Sequence, residues 1–423
     1  MTPTTPVAEN APSPRAQRWI GPGLIMAASG IGASDIVAAT VGGARGGLTL
    51  LWALALGAFL KFVLSEGLAR WQLATGTTAL EGWARHLPRW VLGGFALYVV
   101  LWSIAVSGAL VSGCGLAVEN LSGGAIPRSW GGLAHAALAF PVIYFGRSTG
   151  FSRVMKPLIV FMFFSIVICA ALTFHDPLRV LRGLAVPAIP TGGAAYVLSI
   201  IGGVGGSLTL LSYSYLLREE KSAATDLRAV RIDLGIAYLF TAIFGLSVML
   251  IANRVFHATG VAITDRDAVS RMAADLARLI GPAGFYIYSV GYWAAVTASL
   301  IGVWRTVPII CADTYSLLRR LPESEHRAAL QTTSPAFRAA LTFMALVAVP
   351  LAFLGRPLFL IVGFTIVGSL FFPFLAVTLL YLNNRVAWPA CIPRPGFVTN
   401  ALLVVVLLLF LIVGGIEVAE LFR

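Results

Sequence analysis

The chain has 423 residues, 58% of them hydrophobic and only 11% charged, with a formal net charge of +12. Soluble globular proteins carry about 25% charged residues, so this composition excludes a soluble enzyme or binding module and indicates a polytopic membrane protein. Lys and Arg fall in loops between apolar segments, which the positive-inside rule explains better than a nucleic-acid partner does.

Residues 1–18 are polar, rich in Pro and Thr, and lack the apolar core of a secretory signal; a disordered cytoplasmic tail is expected. Residues 19–423 read as one transmembrane domain. With about 20 apolar residues as the template, eleven spans are expected: 20–44, 48–70, 91–118, 130–146, 157–174, 194–217, 232–253, 282–306, 337–354, 358–382 and 397–416.

Span 1 is not a plain anchor. Its middle reads Ser29-Gly30-Ile31-Gly32-Ala33-Ser34-Asp35. A charge at the bilayer centre costs at least about 2.5–3.5 kcal/mol, so Asp35 is a functional candidate. Glycines weaken the helix, and free backbone groups at membrane depth are tolerated only around a cavity or ligand. Span 2 carries Lys61 near its middle, which either snorkels to an interface or needs a partner, Asp35 being the clearest midplane acid. Glu66 and Arg70, four apart, are expected to pair.

Span 6 repeats the feature of span 1, with Gly202-Gly203-Val204-Gly205-Gly206-Ser207 at its middle and Thr209 just beyond. Two interrupted segments in corresponding halves point to a transporter site at their interface. The five-span offset implies an inverted repeat: about 20–174, then about 194–382, with 397–416 an added helix. Breaks are expected at about 30–35 and 202–209. The candidate substrate-binding residues are Gly32, Ala33, Ser34, Asp35, Gly205, Gly206, Ser207 and Thr209, with Asp35 the metal ligand. For Ser207 and Thr209 the competing reading is hydroxyl back-bonding within a helix.

Residues 254–280 mix charges with apolar Val269, Met272, Ala273 and Leu276 at helical spacing, which predicts an amphipathic surface helix. In span 8, Tyr286, Tyr288, Tyr292 and Trp293 read as an interfacial belt. Arg305 and Asp313 lie eight apart on one helix, about 80° from in-line. They are a candidate gate pair, with a boundary role for Arg305 as the alternative. The four cysteines, Cys114, Cys169, Cys311 and Cys391, show no paired spacing, and no metal-cluster motif is present.

Several short matches resemble the Nramp family of divalent metal transporters, which have the leucine-transporter fold. They are Gly21-Pro22-Gly23 opening span 1, Leu50-Leu51-Trp52 opening span 2, Ala69-Arg70 with Thr75-Gly76 closing it, Ile201-Gly202 with Gly205, and Pro373-Phe374 with Leu379-Leu380-Tyr381. The resemblance implies a cation transporter whose metal is substrate rather than cofactor. The departures fall on the chemistry. The family's Asp-Pro-Gly-Asn is Gly32-Ala33-Ser34-Asp35 here, its Met-Pro-His aligns near Thr209-Leu210-Leu211, and its span 10 Gln is Thr365. An oxygen-only site suits Mg²⁺, Ca²⁺ or Mn²⁺ better than Fe²⁺ or Zn²⁺, with Mg²⁺ or Mn²⁺ favoured. Span 3 lacks the family's acids in its middle, so proton coupling by that route is not expected.

Two functions of different class remain: an Nramp-like divalent cation transporter, and a transporter of the same fold for a small organic solute or anion, with Lys61 facing negative charge. A membrane enzyme or a receptor without transport is a weak third, and no triad, HExxH or nucleotide loop supports an enzyme. The loop charges favour a cell-membrane protein with its N-terminus inside. The expected partners are the small substrate and membrane lipid, with the chain acting as a monomer.

Overall fold

The computed structural model describes residues 21–146, 148–174, 176–189, 194–219, 226–260, 268–386 and 392–421. The expected N-terminal tail, Cys391 and the acidic start of the predicted surface helix lie outside them.

The described residues form eighteen α-helices and no strand: α1 (Pro22–Gly30), α2 (Ala33–Gly46), α3 (Leu51–Thr75), α4 (Ala79–His86), α5 (Arg89–Leu121), α6 (Arg128–Tyr144), α7 (Ser148–Thr173), α8 (Pro177–Ala185), α9 (Ala194–Gly203), α10 (Ser212–Glu219), α11 (Leu227–Ala252), α12 (Ala268–Ile280), α13 (Pro282–Arg319), α14 (Glu323–Ala329), α15 (Pro335–Ala352), α16 (Pro357–Ser369), α17 (Phe371–Arg385) and α18 (Phe397–Leu421). Eight stretches among them are long and apolar enough to cross a bilayer. The expected eleven spans differ from these at span 1, which is broken, at α6, which has 17 residues, and at the apolar part of α18, 397–412.

Span 1 is α1 and α2 separated by Ile31 and Gly32. Span 6 is α9 and α10 separated by four residues and a 3₁₀ turn, Leu208–Leu211. In that gap Gly205 and Gly206 have φ of 80° and 74°, a left-handed conformation that costs other residues about 1–2 kcal/mol. The two breaks face each other closely: a Cβ on Gly30 would stand 3.1 Å from the Gly205 carbonyl and the Gly206 Cα.

The helix α13, expected to end near 306, continues to Arg319. At 1.5 Å per residue its 38 residues extend about 57 Å, well beyond a hydrocarbon core of roughly 30 Å. It packs against α1, α5, α7, α12 and α15, and so runs through the bundle. That position overturns the aromatic-belt reading in part. Tyr286 is exposed, but Tyr288 and Tyr292 are fully buried, Tyr288 donating to Met272 Sδ at 3.3 Å. The predicted surface helix is α12, which buries Val269, Met272, Ala273 and Leu276. Span 10 is α16 and α17, which meet at the single residue Leu370 with helical φ and ψ of −63° and −20° and run together as one apolar stretch, Phe359–Arg385.

Candidate functional site

A helix cut in the middle of a span exposes a positive end of N–H groups and a negative end of carbonyls. Two buried charges meet those ends here. Asp35, 1% exposed, lies in the first turn of α2. Its Oδ2 accepts from the Gly32 N–H at 3.3 Å, the reciprocal half of a capping box. Its Oδ1 accepts from the Gly205 N–H inside the span 6 break. The carboxylate thus ties the two breaks together.

Lys61, also 1% exposed, approaches from α3. Its Nζ donates to the Gly202 carbonyl at 2.9 Å and to the Val204 carbonyl, at the negative end of α9. It stands 4.7 Å from the centre of the Phe372 ring. Snorkelling is therefore overturned, since the ammonium is partnered in the core. The expected partner, Asp35, meets the same break one residue away, at the Gly205 N–H.

The remaining candidates divide. Gly32 caps α2, with Ser299 of α13 directly against it. Ala33 and Ser34 open α2, but the Ser34 hydroxyl lies outside what the structure describes. Gly206 packs against Gly30, and Thr209 is buried in the 3₁₀ turn with its carbonyl accepting from Ser212 Oγ. Ser207 does not back-bond within its helix; its Oγ accepts from Trp102 Nε1 at 3.0 Å. Beside it, Gly202, Gly203, Gly206, Phe364, Thr365 and Gly368 line a cavity of ≈ 10 Å³, about the room of one water. Thr365 is in that lining although its hydroxyl bonds back to Ile361 O at 2.9 Å. Among the described residues, no three His, Cys, Asp or Glu side chains converge on one point. A cation at the breaks would be held by the Asp35 carboxylate, carbonyls and hydroxyls.

Sequence reasoning missed three participants. Ser299 Oγ donates to the Ser29 carbonyl at 2.9 Å, satisfying the end of α1. Trp102 positions Ser207 and packs edge-on against Phe364 at 5.3 Å. Asp233 caps the start of α1, its Oδ2 accepting from the Gly23 N–H at 2.8 Å and from Tyr213 OH at 3.0 Å. None of the three carries a signal in a single sequence, because each acts across elements far apart in the chain.

The Arg305–Asp313 pair is not formed. Arg305 lies over the Phe151 ring at 5.8 Å. Asp313 is held by His326 Nε2 at 2.6 Å, Tyr215 OH at 2.5 Å and Thr78 Oγ1 at 3.4 Å. Eight residues of helix rise about 12 Å and rotate the two side chains apart. Beside Asp313, Arg218 bridges to Glu81 at 3.0 Å and to the Gly76 carbonyl at 3.0 Å. This cluster locks α4, α10, α13 and α14 together at one end of the bundle. The hydrogen bond to Asp313 raises the His326 pKa, with the Asp313 and Glu81 charges adding and burial and Arg218 opposing. Burial would raise the Glu81 pKa, but Arg218 and the Thr78 N–H outweigh it and lower it. Glu66 and Arg70 pair as expected, at 2.5 Å, and Arg231 joins them at 2.8 Å.

A profile of the family described as "Natural resistance-associated macrophage protein-like" matches residues 23–421. The "Divalent metal cation transporter MntH" of Chromohalobacter salexigens is 26% identical over 264 residues, 58% of this chain and 60% of that protein. The protein of the same name from Bacillus subtilis is 25% identical over 296 residues, 67% of this chain and 68% of its own. Among solved structures, a mutant of the Eremococcus coleocola manganese transporter matches with a TM-score of 0.74 at 16% identity, covering 95% of this chain and 86% of its own. MhsT in complex with L-phenylalanine matches with a TM-score of 0.53 at 16% identity, covering 94% and 98%.

Proposed function

The chain belongs to the Nramp family, it has the helical fold of the manganese transporter and MhsT structures it matches, and from that premise we propose that it is a secondary transporter of a divalent metal cation. The observation that carries the reading is a buried carboxylate, Asp35, bonded into both helix breaks at once. The metal is cargo, and no resident cofactor is invoked. Asp35 supplies the single negative ligand, with backbone carbonyls of the breaks and the Ser34, Ser207 and Thr209 hydroxyls as the oxygen set. Hard cations take oxygen ligands, and Mg²⁺ keeps several waters beside one or two carboxylates. Mg²⁺ or Mn²⁺ is the proposed cargo, and Cd²⁺ is not preferred.

The α5 helix supports transport without strict proton coupling: its acid, Glu119, stands near one end rather than at mid-span. The proposed topology has the N-terminus inside the cell membrane and repeats of about 20–174 and 194–382, followed by the added helix. One chain suffices, because both breaks lie within it.

Calorimetric titration of Mg²⁺ and Mn²⁺ into purified wild type and Asp35→Asn tests the reading. Weak binding to wild type and none to the variant is expected. Equal binding by both would remove Asp35 from the site. A small organic solute or anion is the second reading, favoured by the Lys61 ammonium at the same break; its signature is a flat titration with every divalent ion.

A further inference from the structure

We infer that Lys61 is a tethered competitor of the transported cation: its ammonium holds the carbonyls of the span 6 break, and a metal ion gains them only when the ammonium leaves. The inference rests on the divalent-cation reading above.

The local chemistry explains why a lysine is stable there. The helix α9 ends at Gly203 in mid-span, so its last carbonyls have no N–H partners within the helix. The macrodipole adds partial negative charge at that end. Lys61 Nζ meets this end at the Gly202 and Val204 carbonyls, with the Phe372 ring beneath it. Carbonyl oxygens freed by a broken helix are also what a hard metal ion takes. The position that suits a cation is therefore filled by a cation belonging to the chain.

Charge balance leads to the same conclusion. Asp35 and Lys61 bond to adjacent residues of the span 6 break, Gly205 and Val204, so one acidic and one basic side chain offset each other there before any substrate arrives. A divalent ion placed beside a fixed ammonium in a poorly polarisable core meets strong repulsion. The four-carbon stem of Lys61 can swing, and its withdrawal frees two carbonyls and the Asp35 charge together. Metal affinity is then set by the contest with Lys61 as much as by the ligand set, which makes Lys61 a determinant of affinity rather than a ligand.

The test is Mn²⁺ titration of wild type, Lys61→Met and Lys61→Gln, with thermal unfolding of each protein to show that it is folded. Lys61→Met is expected to bind Mn²⁺ at least about tenfold tighter than wild type. Its unfolding temperature should fall without metal and recover with it, as the ion replaces the missing ammonium. Lys61→Gln keeps an N–H donor for the carbonyls without the charge, and should also bind tighter. If Lys61→Met does not fold, the comparison of Lys61→Gln with wild type decides. Equal or weaker binding by folded variants, with wild type still binding, overturns the competitor role and leaves the cation reading intact. A flat titration for wild type and variants alike overturns both.

Discussion

At the scale of single residues, Asp35 was legible in the sequence because a carboxylate in mid-span has so few uncostly explanations. Its bonds were not legible, since the Gly205 N–H lies 170 residues away in sequence. Those bonds separate two effects of mutation. Asp35→Asn keeps the shape but only one acceptor oxygen for the two N–H groups, and should lose cation binding with a smaller drop in unfolding temperature than Asp35→Ala. Asp35→Ala leaves two buried N–H groups without their acceptor, which costs about 1–3 kcal/mol each, so its unfolding temperature should drop as well. A normal unfolding temperature for Asp35→Ala would mean that the Gly32 and Gly205 bonds carry no stability. At the other end of the bundle, His326 and Asp313 give a pH dependence with a definite sign. The native His326 pKa lies above its ordinary value, so the ion pair contributes fully below about 6.5. Its contribution is lost as the pH rises through the raised native value. Unfolding temperatures measured from mildly acid to mildly alkaline pH should fall more steeply for wild type than for His326→Gln. Parallel curves would remove the Asp313 pair from the account.

At the scale of elements, the glycine clusters announced both breaks, because small residues without a packing face gain nothing from a continuous helix. The buried face of α13 was missed. Tyrosines at helical spacing suit a membrane interface and a bundle core equally well, and only the packing of α7 and α12 against α13 decides. The left-handed Gly205 offers a direct test at this scale. Gly205→Ala should cost about 1–2 kcal/mol from its positive φ, with a Cβ otherwise in ordinary contact with Lys61 and Thr241 at 3.4 Å. The loss should show in unfolding temperature, and substrate binding should fall with it because the Gly205 N–H would turn away from Asp35. An unchanged affinity in that variant would show that the break geometry is not part of the site.

At the scale of the whole molecule, hydropathy and charge were enough to read a helical transporter with paired broken spans, because membrane burial of backbone leaves few other architectures. What hydropathy could not supply is how the ends are closed. The cluster of Thr78, Glu81, Tyr215, Arg218, Asp313 and His326 draws on four separate elements, and no spacing along the chain brings them together. The proposed function requires those closures to open in turn while the midplane site holds its ion. The most direct measurement is uptake by liposomes containing the purified protein, across Mg²⁺, Mn²⁺, Ca²⁺, Fe²⁺ and Cd²⁺, with Asp35→Asn in parallel. Uptake of Mn²⁺ or Mg²⁺ without a pH gradient, no preference for Cd²⁺, and loss of uptake in Asp35→Asn is the predicted result. Folded, reconstituted wild type that moves no divalent cation, or that selects Cd²⁺ or Fe²⁺ tightly, would contradict it.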